Sequence, residues 1–435
     1  MLSTGARSIQ YRFGIGISAT TRIRHQGEEV LTVTDSLKKS ERVKSIKSFD
    51  FFHDERVRSI FYQLLTAATV GWAAWYLFTA TSQNLEVRGM KSGFAFLDVE
   101  AGFGTDFKLI EYTIGTGTYG DIFLIGILNT LYISALAIIA STVLGFTIGV
   151  LRLSSNWLVS KVALSFVEIF RNTPLLIQVI FWYTGIFSLL PKVKKSFDLY
   201  GGAELVLLNN RGLYMPWPVP GELFWMTGLA FVIAITGALG YRWWAKNRQN
   251  KTGQIVPIFL PTGALVLLLP GAVYLLTGSP LGWDTPALEG FNFVGGATLP
   301  PAFLALFVAL TIYHAAHLAE TVRAGILSVN KGQHDAARAI GLRENRVMSL
   351  VVIPQAMPAI VPPMISQWMN TVKNSSLAIA IGYPDLVSVF MQTSLNQVGH
   401  AIEIVGMTMA FYMFVSLTIS GLLNIYNKRV QLVVR

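Results

Sequence analysis

Residues 120–151 read GDIFLIGILNTLYISALAIIASTVLGFTIGVL, and the thirty residues that follow Asp121 include no charged side chain. An α-helix needs about 20 apolar residues to cross the roughly 30 Å hydrocarbon core of a bilayer. The run is long enough for a complete crossing, so it predicts a transmembrane helix. A bilayer, rather than a water-soluble core, is the solvent that explains this stretch.

Composition extends this conclusion to most of the 435-residue chain. Apolar residues make up 52% of it and charged residues only 13%, with a mean hydropathy of +0.51, whereas a soluble domain has roughly 25% charged residues. The sequence predicts an all-α, polytopic membrane protein with about eight transmembrane helices. These spans are expected near residues 60–80, 120–151, 157–189, 223–244, 255–277, 299–327, 355–381 and 402–426.

Prolines make the sixth and seventh spans less regular than the others. Pro300 and Pro301 open the sixth, and four prolines fall in the ten residues from 354 to 363. Proline is tolerated in a membrane helix where neighbouring helices or water satisfy the freed carbonyls. The seventh span is therefore expected to include a bent or unwound stretch that lines a passage.

The distribution of Lys and Arg predicts the orientation of the spans. With the N-terminus inside, 25 of the 34 basic residues lie in inside segments, seven lie in outside segments, and Arg171 and Lys373 lie within spans. Positive charge is enriched on the cytoplasmic side of membrane proteins. Both termini are therefore expected in the cytoplasm, and no short apolar core follows the first arginines to form a secretory signal. Nucleic-acid binding is the weaker explanation of the +10 net charge, because no basic stretch alternates with base-stacking aromatic residues.

The predicted spans divide the chain into six parts. Residues 81–119 and 200–221 are expected to form ordered loops or short interfacial helices outside, residues 382–400 to lie outside as well, and residues 1–58 to be partly disordered. The parts are a cytoplasmic N-terminal segment, 1–58; an extra first span with a periplasmic loop, 59–119; core spans, 120–189; an insertion with two extra spans, 190–298; core spans with a cytoplasmic loop at 330–354, 299–427; and a cytoplasmic tail, 428–435.

One cytoplasmic loop differs from the others. Residues 330–354 read NKGQHDAARAIGLRENRVMSLVVIP, which predicts two short amphipathic helices joined at Gly341, because glycine suits the left-handed conformation that ends a helix. The Ala-rich first helix presents little side-chain bulk, as a helix that enters a groove of another protein must. An ordinary interfacial helix–turn–helix is the alternative. The candidate contact residues are Gln333, His334, Asp335, Ala336, Ala337, Arg338 and Gly341.

The spacing within this loop resembles a known motif. The run from Asp335 to Ala337, then Gly341, then the run from Val351 to Pro354 resembles the EAA loop of bacterial ABC importer permeases. Asp335 stands in place of the usual Glu, Val351 in place of Ile, and Ile353 in place of Leu. The resemblance implies a type I importer permease core, in which this loop is the coupling helix that sits in a cleft of the ATPase subunit.

A second stretch narrows the resemblance. Residues 167–178, VEIFRNTPLLIQ, resemble the signature of permeases for polar amino acids and opines, and residues 319–326 and 373–378 are similarly placed. The long layout, with GFAFLD at 93–98 after the first span, looks like the larger permease of the general L-amino-acid (Aap/Bzt-type) importers. In those importers two unlike permeases pair, two ATPase subunits dock beneath them, and a periplasmic amino-acid-binding protein delivers the substrate.

Two charged groups in the third span are candidates for the substrate pathway. Glu168 and Arg171 lie three residues apart on one helical face and can pair, and an ionisable residue in a membrane helix is a functional candidate. The alternative is structural, because near the cytoplasmic end of the span the pair can lock helices together or meet headgroups. Glu320 is a further candidate for the pathway; with Arg323 it repeats this spacing just before the coupling loop, where a structural role at the helix end is favoured.

A dense polar cluster, Lys373, Asn374, Ser375 and Ser376, falls toward the outer half of the seventh span. It begins about 18 residues into the span, or ~27 Å along a helix. Its ammonium and hydroxyl groups can engage the carboxylate of an amino acid. A snorkelling lysine, with Ser and Asn side chains holding helices together, is the alternative.

The motifs that the sequence lacks argue against metal binding, nucleotide binding and covalent catalysis by this chain. His314, His317 and Glu320 spread over about 240° of helix circumference at 100° per residue, so no metal site is expected. The chain has no cysteine, no GxxxxGK[S/T] phosphate loop and no GxSxG elbow. It is expected to be a transport subunit rather than an enzyme, with no cofactor of its own and with ATP and Mg on the partner ATPase. An ion-gradient-driven secondary amino-acid transporter and a membrane-embedded enzyme are the alternatives.

Overall fold

The computed structural model describes residues 9–12, 18–21, 55–87, 93–202 and 205–430. The chain divides into two units, Met1–Asn84 and Leu85–Arg435. In the first unit, strands β1 (Ile9–Arg12) and β2 (Ser18–Thr21) pair antiparallel, and helix α1 (Glu55–Val87) begins. The disorder expected of residues 1–58 concerns residues that lie mostly outside the described part.

The second unit is built from long helices. Among the described residues, six helices are long and apolar enough to cross a membrane, or seven if the bent pair α3–α4 is one span. α1 covers the first predicted span but is not one of them, because Tyr, Trp and Thr side chains dilute its apolar run. The helices are α2 (Tyr119–Leu151), α3 (Trp157–Asn172), α4 (Leu175–Ile180), α5 (Phe224–Thr252), α6 (Phe259–Leu276), α7 (Pro301–Leu327), α8 (Lys331–Ala339), α9 (Glu344–Val347), α10 (Ile353–Asn374), α11 (Leu395–Val398) and α12 (Ala401–Val430).

The predicted third span is broken rather than continuous. α3 meets the stretch that begins with α4 at an angle of 103°. Thr173 lies at the break with φ −95° and ψ 125°, the extended conformation that a residue before proline prefers. After α4 the chain continues through a π turn, Phe181–Ile186, and a 3-10 turn, Phe187–Leu189.

The proline-rich seventh span stays helical. Pro358, Pro362 and Pro363 lie inside α10, and a π turn, Met348–Val352, precedes it. Pro354 stands in the first turn of α10, directly after this π turn. The irregularity of this region takes the form of that π turn before the predicted span and of a 3-10 segment, Ser375–Ile381, at its end, and the proline-rich stretch itself is helical.

α2 packs along α7 at two glycines. A Cβ on Gly145 would lie 2.6 Å from the Leu318 Cβ, and a Cβ on Gly149 would lie 2.8 Å from the carbonyl oxygen of Ala319. Lipid is as apolar as the side chains, so membrane helices associate by close packing of small residues rather than by a hydrophobic force. The two glycines provide that close approach.

The insertion forms β structure beside the beginning of α7. The strands are β3 (Phe197–Asp198), β4 (Leu207–Asn209), β5 (Gly212–Met215), β6 (Trp217–Pro220), β7 (Leu281–Asp284), β8 (Ala287–Glu289), β9 (Asn292–Val294) and β10 (Ala297–Leu299). Four make a sheet in the order β10-β5-β4-β3, β6 pairs with β7, and β8 pairs with β9, all antiparallel. The expectation of loops or short helices for residues 200–221 is therefore wrong. Residues 93–118, by contrast, form an ordered loop with one 3-10 turn, Ala95–Asp98, as expected.

The orientation rule predicts that residues 382–400 lie outside. In the structure, part of this stretch lies within the helical layer instead. The N–H of Leu386 donates to Thr130 Oγ1 at 3.1 Å, whereas the Tyr119 hydroxyl donates to Gln397 Oε1 at 2.8 Å. Thr130 is eleven residues into α2, or ~16 Å from its start. The chain therefore enters the helical layer beside α2 and returns. Gly126 allows this close approach, because a Cβ at this position would lie 2.8 Å from the Leu386 Cα.

Candidate functional site

The coupling segment, residues 330–354, leaves the end of α7 and returns to α10. Asn330 caps α8, because its Oδ1 accepts a hydrogen bond from the N–H of Gly332 at 2.8 Å. At the other end Gly341 has φ 85°, and its N–H donates to the carbonyl of Arg338 at 2.8 Å. The predicted left-handed bend at Gly341 is confirmed, and it turns the chain from α8 toward α9.

α8 is anchored by one face and exposes the other. Ala337 is buried in an apolar cluster with Val322 of α7 and Ile360 of α10. Ile340, just past the helix, is 78% exposed, and an amphipathic helix held this way offers its free face to a partner. Among the other predicted contact residues His334 is half-buried, and the exposed ones are Gln333, Asp335, Ala336, Arg338 and Gly341.

An ion pair connects the two short helices of this segment. Arg338 Nε lies 2.5 Å from Glu344 Oε1, across the bend at Gly341. The Glu344 carboxylate raises the pKa of the Arg338 guanidinium. Both side chains are exposed, so solvent screens the pair and it contributes little to stability. Its effect is to orient α8 relative to α9.

A cavity of about 450 Å³ opens between α3, α7 and α10. Small-molecule sites occupy clefts of roughly 300–1,000 Å³, so the space suits a small polar solute. Small residues of α7 and α10 leave the room for it. The lining residues are Arg171, His317, Glu320, Thr321, Ala324, Gly325, Ala359, Pro363 and Gln367.

Glu320, one of the predicted pathway residues, lines this cavity with its charge already paired. Its Oε1 accepts a hydrogen bond from Arg323 Nη2 at 2.6 Å, and its Oε2 bonds to Arg152 Nη1. The predicted pairing of Glu320 with Arg323 is confirmed. Because Arg152 follows α2 directly, the same carboxylate also connects α7 to α2.

Arg171 brings positive charge without a carboxylate partner to the opposite wall. Glu168, predicted as its partner, instead accepts a hydrogen bond from Asn172 Nδ2 at 3.2 Å and does not line the cavity. No ion pair of Arg171 is formed within the residues the structure describes. Nε2 of His317, on the facing helix, likewise has no hydrogen-bond partner among them. The exposed Arg171 guanidinium is therefore available to a solute, whereas the His317 nitrogen is buried.

A short hydrogen-bonded chain extends from this cavity along α10. His314 is 1% exposed, with Nδ1 3.3 Å from Gln367 Oε1 and Nε2 3.3 Å from Asn374 Nδ2. A neutral imidazole with its proton on Nδ1 donates to Gln367 and accepts from Asn374, so both contacts are satisfied. Spacing alone does not single out His314 as the central residue, because its partners are more than fifty positions away.

The remainder of the predicted polar cluster faces elsewhere. Lys373 is exposed. Ser375 Oγ donates to the carbonyl of Val372 and Ser376 Oγ donates to the carbonyl of Lys373, each at 2.7 Å. The structure thus connects Asn374 to the cavity that Arg171 and Glu320 line, and leaves Lys373, Ser375 and Ser376 outside its lining.

Asp385 is a buried acidic residue outside the cavity, and the motif analysis gives no role for it. It is 0% exposed, and its Oδ1 accepts a hydrogen bond from the N–H of Ser388 at 2.9 Å, which caps the π turn Leu386–Ser394. Its side chain also interacts with the hydroxyl of Tyr412. The available signal is an Asp just before an apolar run, the pattern of a helix N-terminus.

Comparison with known proteins places these features in a family. Residues 141–432, which include the cavity and the coupling segment, match the model of the binding-protein-dependent transport system inner membrane component. The chain is 47% identical over 397 residues to the putative amino-acid ABC transporter permease protein YhdX of Escherichia coli (strain K12), covering 91% of this chain and 100% of that protein. It is 43% identical over 383 residues to the general L-amino acid transport system permease protein AapQ of Rhizobium johnstonii, covering 88% and 94%. It is 37% identical over 409 residues to the glutamate/glutamine/aspartate/asparagine transport system permease protein BztB of Rhodobacter capsulatus, covering 87% and 95%. With its apolar helices, its matched core and these relatives, the chain belongs to the family of inner-membrane components of binding-protein-dependent transport systems.

Proposed function

We propose that this chain is the transmembrane permease subunit of an ABC importer that moves L-amino acids, polar or of broad range, into the cytoplasm by alternating access. Family membership supports transport, and the names of the three relatives support amino acids as the cargo. The observation that carries the proposal is the coupling segment. It joins α7 to α10, the two helices that line most of the cavity, and it has one anchored face and one free face.

ATP hydrolysis in this proposal takes place on a separate chain. The sequence has no phosphate loop, so ATP and Mg belong to two partner ATPase subunits, and this chain binds no cofactor and no nucleic acid. A second, homologous permease completes the pathway, and a periplasmic amino-acid-binding protein delivers the substrate. The chain lies in the bacterial inner membrane with both termini and the coupling segment in the cytoplasm, as the distribution of Lys and Arg supports.

Movement of α8 reaches the cavity through packed side chains. Ala337 lies in the same buried cluster as Val322 and Ile326 of α7 and Ala356 and Ile360 of α10. Close-packed interiors transmit displacement rather than absorb it. A push on the free face of α8 therefore shifts the two helices that carry His317, Glu320 and Gln367, which changes the access to the cavity.

The cavity offers partners for the two ends of an amino acid. The Arg171 guanidinium presents a planar set of donors that matches a carboxylate. The Thr321 hydroxyl and the Gln367 oxygen are acceptors for the α-ammonium group. Glu320 is held by two arginines, so it acts in positioning α7. Glu168, Lys373, Ser375 and Ser376 do not line the cavity, and this proposal gives them no contact with the substrate.

Reconstitution of the chain with its partners tests this function. In proteoliposomes containing the second permease and the ATPase, uptake of a labelled L-amino acid is expected to need both ATP and the binding protein, and to survive an uncoupler. The isolated chain is expected to hydrolyse no ATP. Uptake by this chain alone that an uncoupler abolishes would instead identify a gradient-driven transporter.

A further inference from the structure

The hairpin of α5 and α6 ends in a strongly basic tip, residues 241–258. From Leu223 to Trp283 the chain has no Asp or Glu. Aromatic side chains of Tyr241, Trp243 and Trp244 stand at the base of the tip, where interfacial aromatic residues normally lie. Its four cations are Arg242, Lys246, Arg248 and Lys251, all exposed.

The four cations of the tip have no carboxylate partner among the described residues. The Arg248 guanidinium lies 5.4 Å from the centroid of the Trp244 ring and 3.4 Å from Gln254 Oε1. No ion pair involves any of the four cations within the described part of the chain. Gly253, with φ 69°, ends α5 and turns the chain back toward α6. The positive charge is therefore concentrated and available to an outside anion.

The tip lies at the same end of the helices as the coupling segment. The N–H of Gly221 donates to the carbonyl of Pro280 at 2.8 Å, so α5 begins beside the strands. α7 begins directly after β10, which pairs with β5. α5 and α7 therefore start at one end and run to the other. With 29 residues, α5 is ~43 Å long, so its last turns pass beyond a ~30 Å hydrocarbon core into the headgroup layer.

We propose that residues 241–258 bind the headgroups of anionic phospholipids. Charge complementarity argues for this occupant, because clustered cations next to a membrane helix attract acidic lipids and Trp244 stacks on Arg248 at headgroup depth. Lipid also has access to the tip. Apart from the face that α5 and α6 share, few residues of either helix are buried. In the most apolar stretch of each helix, 11% of the residues of α5 and 6% of those of α6 are buried.

Lipid-dependent stability of the purified transporter tests the proposal. The melting temperature is measured in detergent with added dioleoylphosphatidylglycerol or dioleoylphosphatidylcholine, and phosphatidylglycerol retained through purification is quantified by mass spectrometry. The wild type is expected to gain stability from phosphatidylglycerol alone. Replacing Arg242, Lys246 and Lys251 with Gln is expected to remove most of that gain and to lower retained phosphatidylglycerol severalfold.

A matched control separates the tip from charge in general. Replacing Lys192, Lys194 and Lys195 with Gln removes three positive charges from the opposite end, and it is expected to leave the lipid response intact. The proposal is overturned if phosphatidylglycerol stabilises the tip variant as much as the wild type, or if phosphatidylcholine stabilises the wild type equally well. A weakened affinity for the ATPase with an unchanged lipid response assigns the tip to a protein contact instead. If the triple variant does not accumulate, Lys246→Gln alone carries the same test.

Discussion

Asn374 Nδ2 lies 3.3 Å from Nε2 of His314, and this contact joins the end of α10 to the middle of α7. The other imidazole nitrogen of His314 contacts Gln367, which lines the cavity. Because His314 is almost fully buried, losing either partner would leave a polar atom unsatisfied, at a cost of about 1–3 kcal/mol. The two helices that the coupling segment connects are therefore also fastened to each other beside the proposed substrate cavity.

Replacing Arg171 with Gln is expected to weaken substrate recognition. A hydrogen bond to a charged group contributes about 1.5–3 kcal/mol, so KM for ATP-driven uptake should rise roughly ten- to a hundredfold if the guanidinium meets the carboxylate. ATPase activity stimulated by the binding protein should persist. Glu168→Gln, one turn earlier on α3 and outside the cavity, is the matched control. An unchanged KM for Arg171→Gln would return Arg171 to a headgroup or helix-packing role.

Lys373→Met separates the two locations proposed for the substrate carboxylate. Lys373 is exposed and does not line the cavity, so its loss is expected to leave KM for uptake unchanged within error. The measurement is made beside Arg171→Gln in the same vesicles. A higher KM for Lys373→Met with normal expression would move the carboxylate contact to the outer half of α10.

Gly341→Val is expected to stall transport. Gly341 has φ 85°, and no atom lies within 4 Å of the position a Cβ would take, so the cost comes from the backbone alone. The left-handed conformation costs an ordinary L-residue roughly 1–2 kcal/mol, and a β-branched one more. Gly341→Asn, which tolerates the left-handed conformation, is the control and should transport normally. Normal uptake by Gly341→Val in an assembled complex would show that coupling does not need this bend.

Gly126→Ala is expected to destabilise the protein although alanine favours helices. Its Cβ would lie 2.8 Å from the Leu386 Cα, and overpacking of this kind costs about 1–3 kcal/mol. Gly406→Ala, in α12 with open space around the new methyl group, should be neutral or slightly stabilising. Melting temperatures of the two variants in one detergent provide the comparison. Equal values would mean that residues 384–398 move away from α2 without cost.

Asp385→Ala is expected to be less stable than Asp385→Asn by about 1 kcal/mol, the usual value of an N-cap side chain. Asn retains an oxygen that can accept the hydrogen bond from Ser388, whereas Ala leaves that N–H without a partner. Comparing the two variants isolates the cap from the effect of removing a buried charge. If their melting temperatures coincide, the hydrogen bond to Ser388 is not what holds the π turn.

The sequence by itself determined that the protein is embedded in a bilayer, where the long helices lie and where the coupling segment lies. Each of these rests on a local pattern, such as an uncharged run of thirty residues or a Gly at a helix end. The tertiary structure alone decided which polar groups meet. Arg171 and His317 share a cavity because Pro174 breaks the third span and because α7 packs against α10. Similarly, β5 pairs with β10, which lies some eighty residues later in the chain. The return of residues 384–398 beside α2 likewise depends on the missing Cβ of Gly126, a contact across more than 250 residues that no local pattern indicates.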